Sequence, residues 1–122
     1  MTMIYHLTTE IEWKLASESG TYSAPSLSSE GFIHCSTKDQ ILRVANAFYQ
    51  AVDDLVLMCI DEDALEAPVK WEAPAHPDGQ EAPFDASAEK FPHIYGTINM
   101  DAVTACLEMP KDDDGYRLPE GI

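Results

Sequence analysis

The chain predicts an α+β fold: one domain on a curved or split, mainly antiparallel sheet of about five or six strands, with two main helices. Three observations carry this. Short strand-forming runs outnumber helical ones, both well-punctuated helical patterns precede the most apolar run, and strands do not alternate with helices as in a doubly wound sheet. At 122 residues the chain has the usual size of a single domain. Such a chain buries roughly two-thirds of the surface its unfolded form exposes, so it needs no staples. The domain is expected over residues 1–110, with 111–122 as an acidic surface tail that lies on the domain or frays.

The elements follow from local pattern. Met3, Ile4, Tyr5, His6 and Leu7 are a strand-forming run. Its period of two puts Ile4 and His6 on one face and Tyr5 and Leu7 on the other. Thr9 opens a helix, its hydroxyl capping the Glu12 amide while Glu12 reaches back, and Gly20 supplies the stop. Ile11, Leu15 and Ala16, extended by Trp13, are expected to form its buried face. The Ser-rich residues 21–30 read as an extended or looping passage. Residues 31–35 read as a second strand, with Phe32 and His34 opposite Ile33 and Cys35. Thr37 and Gln40 repeat the capping box, and Ile41, Val44, Ala45, Phe48, Tyr49 and Val52 follow at helical intervals.

The unbroken apolar run 55–60, bounded by Asp54 and Asp61, has the pattern of a central strand buried on both faces. Val69, Lys70, Trp71 and Glu72 read as a fourth strand. Residues 73–92 carry four prolines and read as a long surface loop, of the kind that often covers a site. Residues 93–98 return to strand character, and 100–109 fit either a short helix or a strand.

Twenty-two Asp and Glu against seven Lys and Arg leave a formal net charge of −15. That surface repels phosphate backbones and anionic membranes, so the expected partner is a small molecule, with a nucleotide admissible, and neither nucleic acid nor membrane. Cys35, Cys59 and Cys106 form no Cys-x-x-Cys unit and have apolar neighbours, the pattern of reduced, buried thiols. No leader pattern opens the chain and no run is long enough to span a bilayer, so a cytoplasmic protein is expected.

Histidine is the informative residue, because it is the side chain most easily poised near neutral pH. His6, His34 and His93 sit in predicted strands and are expected to point into one concave site, while His76 lies in the Pro-rich loop. Three imidazoles, or two with Glu72, would meet zinc's need for three protein ligands, but no metal-ligand spacing supports such a site and no metal is expected. No Gly-x-Ser-x-Gly elbow or phosphate-cradling Gly-rich loop is present. Cys35 is a poor nucleophile beside His34, since adjacent strand residues face opposite ways. Trp13, Phe32, Trp71 and Phe84 read as core and cleft lining. Tyr22 lies in a polar passage, where a phenol both stacks and donates a hydrogen bond.

Four blocks stand together: Ile4-Tyr5-His6; Ser26-Leu27 through Glu30-Gly31-Phe32-Ile33-His34-Cys35-Ser36; Val69-Lys70-Trp71-Glu72; and Phe91-Pro92-His93-Ile94-Tyr95-Gly96. Over residues 4–103 the chain resembles the bacterial domain of unknown function 952 family, most specifically in the Gly-Phe-Ile-His-x-Ser block. The family is similar to the ADP-ribosyltransferase fold, a split antiparallel sheet that grips NAD in its central cleft. Some members are labelled glutathione S-transferase-like, which needs two domains and does not suit a chain this short.

The resemblance implies cleavage of the nicotinamide–ribose bond through an oxocarbenium-like state, with NAD or a related nucleotide as substrate and no resident cofactor. It implies a catalytic set of His6, holding the ribose, with His34 and Glu72, whose carboxylate stabilises the cation and orients the acceptor. Tyr22, Ser36 or Tyr95 would stack on or anchor the nicotinamide, and His93, from its strand position, joins these ligand-binding candidates. A branch that moves RNA 2′-phosphate needs an Arg cluster that this chain lacks. With so acidic a surface, dinucleotide phosphates would meet His6, His34 and backbone amides near the Ser36–Thr37 helix start. The second functional reading is a non-catalytic ligand-binding domain, and the third a His/Glu metal-dependent hydrolase.

Overall fold

The computed structural model describes residues 2–73 and 90–122. In chain order its elements are β1 (Met3–Thr9), α1 (Glu10–Ser19), β2 (Thr21–Tyr22), α2 (Pro25–Ser29), β3 (Ile33–His34), α3 (Ile41–Phe48), β4 (Leu55–Asp61), β5 (Val69–Glu72), β6 (Phe91–Ile94), β7 (Ile98–Asn99), β8 (Val103–Glu108), β9 (Lys111–Asp112) and β10 (Gly115–Tyr116). The result is a small α+β domain with antiparallel sheets.

The apolar run between Asp54 and Asp61 is β4, the middle strand of the sheet β1-β4-β8. Both of its faces are covered, which is why it lacks alternation. Met58 and Ile60 pack on one side with Ile4, Tyr22, Ile33 and Ile94. Leu55, Leu57 and Cys59 pack on the other with Tyr5, Leu7, Ile41 and Ala45 of β1 and α3. The alternation read along β1 therefore holds.

A second sheet has the order β3-β6-β5. Ile33 pairs with Ile94 across β3 and β6, and both are fully buried against the first sheet. The two sheets join at one backbone bridge: Tyr5 donates to the Ser36 carbonyl at 2.9 Å and Ser36 to that of Tyr5 at 2.7 Å. Six antiparallel strands thus run β8-β4-β1-β3-β6-β5 and split after a single rung between β1 and the chain following β3. The expected split sheet is present.

Both expected helix starts are capped, and the reciprocal box is complete at the second, between Thr37 and Gln40. Thr9 accepts from the Glu12 amide at 3.3 Å, and Gly20 ends α1 at φ 85°, where a Cβ would be strained. The Thr37 amide donates to Gln40 Oε1 at 2.9 Å ahead of α3. Four corrections accompany these agreements. Ile11 and Leu15 of α1 are 66 % and 57 % exposed, whereas Ala16 is buried and Trp13 packs beside it. At 100° per residue those four apolar side chains form two opposite sides, of which β1 and β4 cover only one. Residues 21–30 are not simply a loop, since β2 pairs with β7 and Pro25 starts a short helix. The strand expected over 93–98 breaks into β6 and β7. Gly96 marks that break, because a Cβ there would lie 2.8 Å from Ala67.

The fourth concerns the chain end. The acids of 111–122 are exposed, but the segment is anchored. Tyr116 is buried, donates from its phenol to the Tyr49 carbonyl at 2.8 Å and contacts that of Val52, while its amide donates to Asn46 Oδ1 at 2.8 Å. Residues 100–109 resolve as one turn of 3₁₀ helix followed by β8. Among the described residues, no helix is long and apolar enough to cross a membrane. His76 and Phe84, with most of the expected surface loop, lie outside the described residues.

Candidate functional site

The second sheet has two unlike faces. Ile33 and Ile94 turn into the core, so period two sends His34 and His93 to the other face, where they are directly paired across β3 and β6. Their rings meet edge-on at 5.6 Å. Phe32 stacks on His93 at 4.2 Å and approaches His34 at 4.9 Å and Tyr95 at 5.4 Å, forming an aromatic bed.

Each imidazole has a carboxylate partner. His93 donates from Nδ1 to Glu72 Oε1 at 3.0 Å, and the Tyr95 phenol donates to the same oxygen at 2.5 Å. His34 bonds through Nε2 to Glu30 Oε2 at 3.0 Å. Lys70, the cross-strand neighbour of His93, lies over the Tyr95 ring at 4.8 Å. Hydrogen bonds from Tyr95 and His93 hold Glu72 below the usual carboxylate range, so it is ionised at neutral pH. Burial pushes His93 down despite its bond to Glu72, so it is neutral there. A neutral ring whose Nδ1 carries the proton has a bare Nε2, the form of a general base. Glu72 is 38 % exposed and His34 23 %, but His93 only 3 %.

His6 belongs to a different layer. It lies on β1 in the first sheet, on the face shared by Ile4 and Thr8, and is buried. Its Nδ1 donates to the His34 main-chain carbonyl at 2.5 Å, and its Nε2 lies 2.8 Å from the Tyr22 phenol, itself 3.0 Å from Thr8 Oγ1. Burial lowers the His6 pKa to about 4, so the ring is neutral and Nε2 is an acceptor. The Tyr22 proton then goes to His6, and the Thr8 hydroxyl donates to Tyr22 in turn. Burial also pushes the Tyr22 phenol up to about 12, so it keeps its proton.

The structure thus brings together His34, His93, Glu72 and Tyr95 and sets His6 and Tyr22 behind them. The expectation of three imidazoles converging side by side is corrected: His6 touches the His34 backbone, and the ring-to-ring contact is between His34 and His93. The cause is alternation: His6 lies on the core-facing side with Ile4, whereas His34 and His93 turn to the face opposite Ile33 and Ile94. Ser36 is buried beside β1 with its amide engaged by Tyr5, and the Thr37 amide is engaged by Gln40. Of the expected phosphate-facing amides at this helix start, those of Ser36 and Thr37 are therefore already occupied. Among the described residues no three His, Cys, Asp or Glu side chains are grouped to hold a metal ion. Sequence reasoning missed Glu30 and Lys70. Glu30 had one signal, its place directly before the Gly-Phe-Ile-His block.

Comparison with known proteins gives the family and the fold. The family described as "Protein of unknown function (DUF952)" matches residues 7–106. No curated protein matches the chain. The crystal structure of protein CC0527 from Caulobacter crescentus is similar, with 27 % identity and a TM-score of 0.78 over 94 % of this chain and 92 % of that one. Its solution NMR structure is similar at 28 % identity and a TM-score of 0.72, covering 95 % and 91 %.

Proposed function

The chain belongs to the DUF952 family, and from that premise we propose that it is a small ADP-ribosyltransferase-like enzyme acting on NAD or a related nucleotide. The observation that carries the reading is Glu72 Oε1, which takes hydrogen bonds from both Tyr95 and His93 at the edge of the Phe32 aromatic bed. A fixed, ionised, partly exposed carboxylate beside a stacking surface suits a positively charged sugar carbon next to a flat leaving group. In the proposed step the ribose C1–nitrogen bond breaks and its electron pair stays on nicotinamide, which leaves neutral. Glu72 stabilises the resulting oxocarbenium. The oxygen of water or an alcohol then bonds to C1, and its proton passes to the bare Nε2 of His93.

The second reading, a binding domain without chemistry, is favoured by the near-complete cover of His93 under Phe32. Incubation with NAD and chromatographic detection of nicotinamide separates the two. Release that is lost in Glu72→Gln supports the enzyme. Binding of NAD or ADP-ribose without release supports the second reading. A ligand at a hundred times its Kd should add about 2.7 kcal/mol of stability. No binding of either at millimolar concentration removes the nucleotide reading.

A further inference from the structure

An antiparallel ladder continued past the Tyr5–Ser36 pair would place its next hydrogen-bonded rung between Leu7 and His34, two residues on along each strand. In this sheet the rung is missing. The His34 carbonyl is taken instead by the His6 ring, whose Nδ1 stands 2.5 Å away. From this we infer that His6 is a positioning residue: its imidazole replaces the lost rung, wedges the split sheet at a fixed opening and sets His34 edge-on to His93. The inference deepens the enzymatic reading and rests on the His34–His93 cluster being the reacting site.

Three features support it. Both ring nitrogens of His6 are engaged, one by His34 and one by Tyr22, so a ribose hydroxyl would have to displace a bond already made. The His34 carbonyl only accepts, so it selects the Nδ1–H tautomer, and the Tyr22 hydroxyl answers by donating to Nε2, with Thr8 completing the chain of hydroxyls. His34 is held twice, by His6 on its carbonyl and by Glu30 on its ring, so its orientation depends on a group in the other sheet. A backbone rung would close the gap between the sheets, whereas an imidazole spans it.

Nuclear magnetic resonance on the labelled protein tests this without NAD. The His6 ring nitrogens should show a neutral, Nδ1-protonated imidazole throughout the neutral range. The proton contact between the His34 and His93 rings should vanish in His6→Ala and return in His6→Asn, whose amide nitrogen sits where Nδ1 does. Tyr22→Phe removes only the bond on Nε2, so the Nδ1–H tautomer held by the His34 carbonyl and the His34–His93 ring contact should both persist; loss of either overturns the inference even if His6→Ala fails to fold. On NAD turnover, His6→Ala should cost about a hundredfold, mainly in kcat, with recovery in His6→Asn. A His6 ring protonated on Nε2, or a His34–His93 contact unchanged in folded His6→Ala, overturns the inference. Absent turnover with the resonance pattern intact overturns the enzymatic reading and leaves the positional role of His6 standing.

Discussion

The two histidine layers are made of the same residue type and are physically opposite. His6 is buried between a carbonyl and a phenol, and burial keeps its ring neutral. His34 and His93 are each hydrogen-bonded to a carboxylate, Glu30 and Glu72. The first layer is closed off by neutral partners; the second carries carboxylates and is partly open to solvent. Burial lowers the pKa of both rings, and the two differ in that His93 has a carboxylate, Glu72, opposing that lowering.

The largest expected stability effect lies in the inner layer. His6→Ala should cost about 2–4 kcal/mol, because it opens a cavity and strands the His34 carbonyl and the Tyr22 phenol. Urea unfolding measures this, and a loss under about 1 kcal/mol would break the distinction between the layers.

Acid gives the next effect. His6 binds its proton near pH 4 when folded and near 6.5 when unfolded. The unfolded chain therefore holds more protons between those values, so stability is full above 6.5 and lost as pH falls towards 4, by on the order of 3 kcal/mol. The lowered pKa of His93 acts with the same sign. Depressed carboxylates such as Glu72 and Asp112 add their losses below the ordinary carboxylate range. His6→Asn should flatten the slope between about pH 7.5 and about pH 5, and an unchanged slope would remove His6 as its source.

Tyr22→Phe should cost about 1–2 kcal/mol, through the bare Nε2 it leaves in the core. Smallest is the outer layer. Glu72→Gln should leave stability nearly unchanged, while any NAD turnover falls about a hundredfold or more. Equal losses of stability and activity would make Glu72 a structural residue.

Much of this could be read in advance because it is local. The faces of β1, the two-sided burial of β4 and the Thr9 and Thr37 capping boxes depend on neighbours within four residues. The common face of Phe32 and His34 followed from alternation alone. What only the tertiary structure decided is contact between distant segments. Glu72 matters because β5 lies against β6, which sets it beside His93 and Tyr95 from more than twenty residues away. Ile11 and Leu15 were misplaced because periodicity shows that a helix has an apolar side, and only packing shows which side is covered. His6 and His34 are separated by a single bridge where the sheet splits. A split is an absence of rungs, and no pattern of side chains along one strand encodes which rung its neighbour fails to make.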